Sequence, residues 1–534
     1  MKRSTVKLIH IIRLILFSIM IQQIIRNPGY GYESRTCIHA ETTRDIINYS
    51  DEEASQIARI RLSENIDDTF IFNYSVLHDI NNGKNDYTWN IGLNNIYNHF
   101  DFIAGNYNLR FGSGLIMGRK KFISSDSFSK SMIVSHDESI VPSTGTNPSA
   151  SFSGTAVEIY TSGDEYSAGC IPFISSQKRY ITSEELEQGY IKSSLSALSE
   201  RTTGNSKYSE YANILNYGGM LWFSFIDYFT VQVYGFETEL LAPGRNNLKW
   251  EYDTAKKSGI EGYKAGGIFI EYSDNVISFF IEPAFSLREY DAPVTGKAIM
   301  WGFGAKNSVA LFSVRGKNCD PDFRSEYSSG DRNPENVFEI KTGIIPLKKL
   351  EFGALFFSEK NINPAYSSDC PGGTVREEFY SGIRPYRWIK LDFTAARVRN
   401  YSDDFEQEKI KVSSSVLLTL PWNFFFRMKS DIQRENSEKA TVSACELKYL
   451  FFNNFIFSAG YTDIRAGNEN GIYAAIIPAA EAEMCTSLYR DSAKGGAVKL
   501  RYKRENLSFH ARGAVIETGG EREITAESSL GFIF

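Results

Sequence analysis

The sequence predicts an all-β fold: a single transmembrane antiparallel β-barrel of about 24 strands, within roughly two either way. Three observations predict it. Side chains alternate between apolar and polar along many long runs, short and long connections alternate between those runs, and the chain ends on an aromatic strand. Composition agrees, because 30 Tyr and 38 Phe against 15 Pro favour strands and turns over helices. A mean hydropathy of -0.28 does not argue otherwise, since a barrel strand hides its signal in the period rather than the average. The net charge of -6 excludes a strongly basic surface and argues against nucleic acid as a partner.

Residues 1–31 have the order of a secretory signal peptide. Lys2, Arg3, Lys7 and Arg13 form a basic start, and Leu14 to Ile21 is a short apolar core. The rival reading, an inner-membrane anchor from Leu8 to Ile25, would hold Arg13 and the Gln22-Gln23 pair inside it. Cleavage after Gly31 or after Ala40 each leaves a small residue at the last position, and the strand count favours Gly31. Residues 32–534 are then the barrel, delivered to a bacterial outer membrane.

Tyr87, Trp89, Ile91 and Leu93 share one face of a strand, while Thr88, Asn90, Gly92 and Asn94 share the other. Phe70, Phe72, Tyr74 and Val76 repeat the pattern one hairpin earlier, joined through Asn81-Asn82-Gly83. The alternation returns in Ile389 to Ala395, Val498 to Lys503 and Leu507 to Val515. Many runs reach about 9 to 13 residues, the length that a tilted strand needs to cross a bilayer. Short links are expected at Asp164-Glu165, Asp227, Asp274-Asn275, Lys306-Asn307, Pro346, Pro385-Tyr386, Pro421, Asn453-Asn454 and Glu505. Longer segments lie between them, as in barrels with short periplasmic turns and long outer loops. Keeping that parity makes Arg465 to Lys494 one outer loop, and an even count requires a first strand near Tyr32 to Thr42.

The last strand places Ile524, Ala526, Leu530, Phe532 and Phe534 on one face. Leu530, Phe532 and Phe534 resemble the C-terminal signal read by the barrel-assembly machinery. In a soluble protein such an edge would be an aggregation hazard, which pairing with the first strand removes.

Alternation fades over residues 105–150 and 175–209. Such long insertions either fold inward as a plug or form outer loops, and pattern alone leaves both open. Arg110, Arg119, Lys120 and Lys121 in the first, and a helical-looking Glu184 to Glu200 in the second, would meet the wall if they fold inward. The glycines near 105–114 are not a phosphate loop, because no Gly-Lys-Ser/Thr follows. Instead Gly105, Tyr107, Phe111, Gly112 and Gly114, with Ser153-Gly154, Ser199-Glu200-Arg201-Thr202 and Gly218-Gly219, resemble a family of large bacterial outer-membrane β-barrels. Many members of that family carry helix-hairpin-helix repeats ahead of the barrel. If the first insertion folds inward to fill a wide lumen, the Gly105 to Gly114 motif is part of the plug. The stretch before Tyr32 leaves no room for the repeats, so their DNA-related role is not carried over.

No motif suggests catalysis. His39, His78, His99, His136 and His510 lack a Gly-x-Ser-x-Gly or His-Glu-x-x-His setting, and the six cysteines lack metal-site spacing. The expectation is a non-enzyme without cofactor or metal; a disulfide between Cys319 and Cys370 stays open. The lumen-facing charges expected are Lys390, Asp392, Lys411, Arg427, Lys429, Glu446, Lys448, Lys499, Arg501 and Arg512. Their cationic excess suggests a weak preference for anions unless they pair with a plug or one another. The functional expectation is a channel or uptake barrel for an unidentified solute, in contact with outer-membrane lipid. The alternative is a plugged barrel acting as a binding or assembly scaffold through its outer loops.

Overall fold

The computed structural model describes residues 34–47, 56–66, 69–79, 85–117, 140–143, 151–182, 190–192, 208–226, 228–241, 249–253, 258–260, 262–288, 294–323, 335–347, 349–361, 372–402, 405–435, 438–451, 454–466, 472–474, 487–489, 491–504, 507–518 and 521–533. Among them, 25 strands form one sheet. One of the 25, Ile140–Pro142, is a three-residue spur on the strand Phe100–Leu109. The other 24 make an up-and-down meander in chain order, each paired antiparallel with two neighbours. Glu521–Ile533 pairs antiparallel with Ser34–Ile47, from Cys37↔Ile533 to Ile47↔Glu523. The meander therefore returns to its start. Only an even number of alternating strands can do so with every pairing antiparallel.

The alternation dictates an inside-out partition of side chains. Tyr87 and Trp89 are 60% and 41% exposed, whereas Thr88 and Asn90 between and beside them are 2% and 0% exposed. In Ile277–Arg288 the outer positions Ile277, Phe279, Ile281 and Phe285 are exposed and the inner positions Ser278, Glu282 and Ser286 are buried. Val233 against Gln232, and Ile432 against Asp431 and Gln433, repeat the inversion. A soluble protein buries the apolar set and wets the polar one. This sheet does the reverse, and a contiguous apolar outer belt of that size needs an apolar solvent.

One rim gathers the tight connections. Asp274 Oδ1 accepts the backbone N–H groups of Val276 (2.7 Å) and Ile277 (2.6 Å), and Asn307 Oδ1 does the same for Val309 (2.8 Å) and Ala310 (2.7 Å). Those bonds hold the Asp274 carboxyl below the usual carboxylate range. Just above this rim the outer face carries rings: Tyr386 stacks on Trp388 at 5.6 Å, Phe424 on Tyr449 at 4.2 Å, and Phe455 lies 5.5 Å from Tyr502. Aromatic girdles of this kind suit the membrane–water boundary, where a ring can be half wet. The opposite rim carries the longer connections, together with short links after Ser402, Glu435 and Thr518 that depart from the expected alternation, and outward ion pairs such as Lys264–Glu237 (3.3 Å) and Arg399–Glu377 (3.6 Å).

Several sequence expectations are corrected. Pro346 and Pro385-Tyr386 lie inside the ends of Glu335–Leu347 and Gly373–Tyr386, and the turns come later. Both prolines coincide with register shifts, between Ile344 and Leu347 and between Ile383 and Tyr386. A residue without a backbone donor marks a bulge there rather than the turn itself. The insertions are shorter than expected, since Gly105 to Leu109 belong to Phe100–Leu109, Ser175 to Thr182 to Tyr166–Thr182, and Tyr208 to Tyr208–Phe225. Within the helical-looking Glu184 to Glu200, the described residues Tyr190–Lys192 are a strand, pairing parallel with Lys249 to Glu251. Arg465 to Lys494 is one connection, with a hairpin of Ile472–Ala474 on Ser487–Tyr489 inside it. Cys319 is a free, buried thiol. Cys370, Arg119 to Lys121, the signal segment and Phe534 lie outside the described residues.

A charge on the outer belt is expected to be costly. Ile281→Arg, midway along its strand, should destabilise folding into lipid vesicles by ~2–4 kcal/mol. Lys411→Ser on the inner face should stay within about 0.5 kcal/mol. Urea titrations of refolding into vesicles measure both, and equal costs at the two sites would contradict the assignment of faces.

Candidate functional site

The first insertion begins as a wall strand and then leaves it. Gly105 sits at φ +99°, and a Cβ there would lie 2.2 Å from the Trp89 carbonyl oxygen, so only glycine lets the two strands approach. Tyr107 is fully buried against Phe152 at 5.8 Å, and its hydroxyl donates to the Ile174 carbonyl at 3.0 Å. Around them the inner wall is laced with amides. Asn73 donates to Asn90 (2.8 Å), Asn90 to the Ser143 carbonyl (2.7 Å), Gln177 to the Ser151 carbonyl (2.5 Å), and Thr238 to Asn216 (2.8 Å). Such groups satisfy one another away from water, as buried polar groups must.

Beyond Leu109 the chain turns into the lumen. Phe111 to Gly114 form a tight turn, with Gly114 N–H donating to the Phe111 carbonyl at 3.3 Å and Phe111 bridging to Met117 at 3.2 Å. The turn packs on an apolar stretch of inner wall that the polar-inside rule does not anticipate. Phe111 lies 5.8 Å from Tyr234 and 6.1 Å from Phe173, in a cluster with Phe236, Phe269, Phe280 and Met300. The tip is held by one carboxylate. Glu282, 0% exposed, accepts from the Ser113 backbone N–H at 2.7 Å, from the Ser113 hydroxyl and from the Tyr234 hydroxyl. Gly112 N–H donates to Gln232 at 2.8 Å. Gly112 has φ +58°, and a Cβ there would meet Glu282 Oε1 at 2.6 Å. Sequence and space thus both demand glycine where the turn presses on the carboxylate.

The other half of the wall is polar and more open. Lys390 pairs with Asp392 (2.8 Å), which also accepts from Tyr380 (3.0 Å); Lys429 pairs with Asp431 (2.8 Å), Lys409 with Glu435 (3.8 Å) and Arg376 with Glu378. Lys390, Asp392, Lys411, Arg427, Lys429, Glu446, Lys448, Lys499, Arg501 and Arg512 all alternate with exposed outer residues such as Leu391, Ile410, Met428, Leu447 and Val498. They therefore share the inner face.

The sequence-derived plug motif divides in two. Gly105 and Tyr107 are wall residues; Phe111, Gly112 and Gly114 form the inward turn. Leu530 and Phe532 lie in the closing strand, opposite Ala40 and Ile38. The sequence reading missed Gln232, Tyr234, Glu282 and Met300, which receive the turn. A signal existed in Ile277 to Phe285, where Phe279-Phe280-Ile281 makes both faces apolar just before an isolated acid. Among the described residues, no group of three or more His, Cys, Asp or Glu could hold a metal ion.

No family model matches the chain, and no curated protein matches it. Solved structures similar in outline include the P pilus usher (PapC) translocation pore, at 7% identity and TM-score 0.45, covering 94% of this chain and 99% of that one. The siderophore receptor PirA from Pseudomonas aeruginosa gives 8% identity and TM-score 0.46, covering 94% and 80%. The ferric citrate transporter FecA gives 8% and 0.43, covering 93% and 78%.

Glu282→Ala leaves the donors of Ser113 and Tyr234 without their acceptor, at about 1–3 kcal/mol for each buried group. The expected result is faster hydrogen exchange at the Gly112 and Ser113 amides with the wall strands unchanged. Unchanged protection of those two amides would contradict the carboxylate's role.

Proposed function

We propose that the protein is an outer-membrane barrel that passes or takes up a solute through its lumen, narrowed on one side by the Phe111 to Gly114 turn. One observation carries the reading: a closed circuit of strands with apolar and aromatic side chains outward and polar ones inward. Such a circuit has a wet interior running from rim to rim, and a ring of about two dozen strands is wide enough to need internal filling. The surrounding partner is lipid, contacted by the outer belt. The strand Glu521–Ile533, with Leu530 and Phe532, is the segment that the barrel-assembly machinery would read, after export directed by residues 1–31. The motif around Phe111 and Gly112 acts as a plug element, and membership in the barrel family with helix-hairpin-helix relatives is part of the same proposal.

A second reading has its own supporting observation. Two outer connections are tied together, since Tyr190–Lys192 pairs with Lys249–Asp253, which pairs with Ser258–Ile260. A small sheet beyond the rim is a platform on which a scaffold could seat a partner.

Planar-bilayer recording separates the two. The channel reading expects purified protein to conduct, and Glu282→Ala to raise the conductance by freeing the turn. An insulating protein in both forms would sink the channel and leave the scaffold. Fractionation of cells should place the protein in the outer membrane as a heat-modifiable species, and recovery from the periplasm without detergent would refute both readings.

A further inference from the structure

Two cations stand face to face on the outer side of the sheet. Arg434 and Lys439 are directly paired in the register of Phe424–Glu435 and Glu438–Phe451, and both are exposed. Their chain neighbours Gln433, Glu435 and Ala440 are buried on the inner face, so the two cations point outward. Like charges directly opposite one another destabilise a strand pair unless an anion is shared between them. A third cation, Arg465, faces Thr441 two residues along from Lys439; its side chain is 78% exposed and its Nε holds Asp463 at 3.1 Å. The other carboxylates nearby are engaged or distant. Glu408, two residues beyond the Ile410 that faces Arg434, pairs with Arg397, Glu377 pairs with Arg399 (3.6 Å) and Glu517 with Lys494 (3.9 Å). Glu435 turns inward to Lys409 (3.8 Å), and Glu406 stands four residues beyond Ile410. Among the described residues, no carboxylate lies within 4 Å of Arg434 or Lys439.

Height places these cations at a lipid boundary. Arg434, Lys439 and Arg465 each lie ten residues along their strands from Phe424, Tyr449 and Phe455, rings of the girdle above the tight turns. At about 3.3 Å per residue and a tilt of about 40°, ten residues climb about 25 Å, the height of the apolar band of a membrane barrel. Between the girdle and the cations the same outer face presents Met428, Ile432, Leu447 and Tyr461, all exposed. The cations thus stand where acyl chains end and headgroups begin, on the side of the long connections. A soluble anion would meet only the charges, whereas an anionic lipid would meet the charges and the apolar surface beneath them at once.

We propose that Arg434 and Lys439, with Arg465 beside them, clamp the phosphate of an anionic lipid headgroup in the leaflet next to the long connections, its acyl chains lying over Met428, Ile432 and Leu447. A guanidinium offers a planar fork to phosphate oxygens and an ammonium a point charge, so the facing pair can share one phosphate. The inference rests on the barrel standing in a membrane and not on whether its lumen conducts. Native mass spectrometry of the protein in neutral detergent, titrated with phosphatidic acid, should show one molecule retained in preference to phosphatidylcholine of the same chain length. Arg434→Gln combined with Lys439→Gln should weaken that retention by about thirtyfold, the loss expected of two basic side chains at an anionic surface. Lys411→Gln, which removes a cation from the inner face of the adjacent strand, should leave it unchanged, and inorganic phosphate should not displace the lipid. Heat-modifiable mobility checks that each variant folds. Equal retention of the two lipids, a double variant that binds as the native protein does, or an equal loss in Lys411→Gln overturns the clamp while leaving the barrel. Displacement by inorganic phosphate gives the cations to a free anion and overturns the lipid. Recovery of the protein from the periplasm without detergent overturns the clamp and the barrel together.

Discussion

Everything in this molecule depends on backbone hydrogen bonds having nowhere else to go. In the hydrocarbon of a bilayer an unpaired N–H or C=O costs several kcal/mol, so a sheet can sit there only if it has no edges. The antiparallel ladder between Ser34–Ile47 and Glu521–Ile533 joins the two ends of the chain over eleven residue pairs, Cys37↔Ile533 to Ile47↔Glu523. Closure fixes the rest. Even strand parity, both strand ends of the ring at the short-turn rim, and a single inner face follow from it, and the period of two then decides which residue types meet lipid.

A closed ring has an interior to fill, and this one fills it unevenly. Strands from Phe100–Leu109 to Val294–Lys306 turn Phe173, Tyr234, Phe236, Phe269, Phe280 and Met300 inward, creating dry wall on which the Phe111 to Gly114 turn packs. Burial of those rings supplies the nonspecific attraction, while Glu282 and Gln232 fix where the turn stops. The opposite wall has few such rings and many ion pairs, suited to water. One face of the lumen thus carries a docked segment and the other a wet surface, which is the arrangement that a narrowed passage needs.

The architecture was legible from short-range pattern because lipid and lumen each read every second side chain. Trp89 and Asn90, or Ile281 and Glu282, announce their faces without reference to distant residues. Connection parity placed the first strand near its observed start, Ser34, and made Arg465 to Lys494 a single loop. Proline misled at 346 and 385, since the residue that cannot donate a ladder bond sits in a bulge as readily as in a turn. The contact of Ser113 with Glu282 spans 169 residues and follows no period, so nothing local could have paired them. Only the inner rings hinted at it, as departures from polar-inside alternation at Phe269 and Phe280.

Cross-linking across the closing seam tests the central claim most directly. Ala40 and Leu530 are directly opposed in the register of the first and last strands, where Cβ atoms of facing residues lie roughly 4.5–5.5 Å apart. Ala40→Cys with Leu530→Cys, oxidised in intact outer membranes, should give an intramolecular bond that depends on both substitutions and changes gel mobility only after heating. If the pair fails to cross-link in the folded protein, or links only between molecules, the ring is open and the account built on it fails.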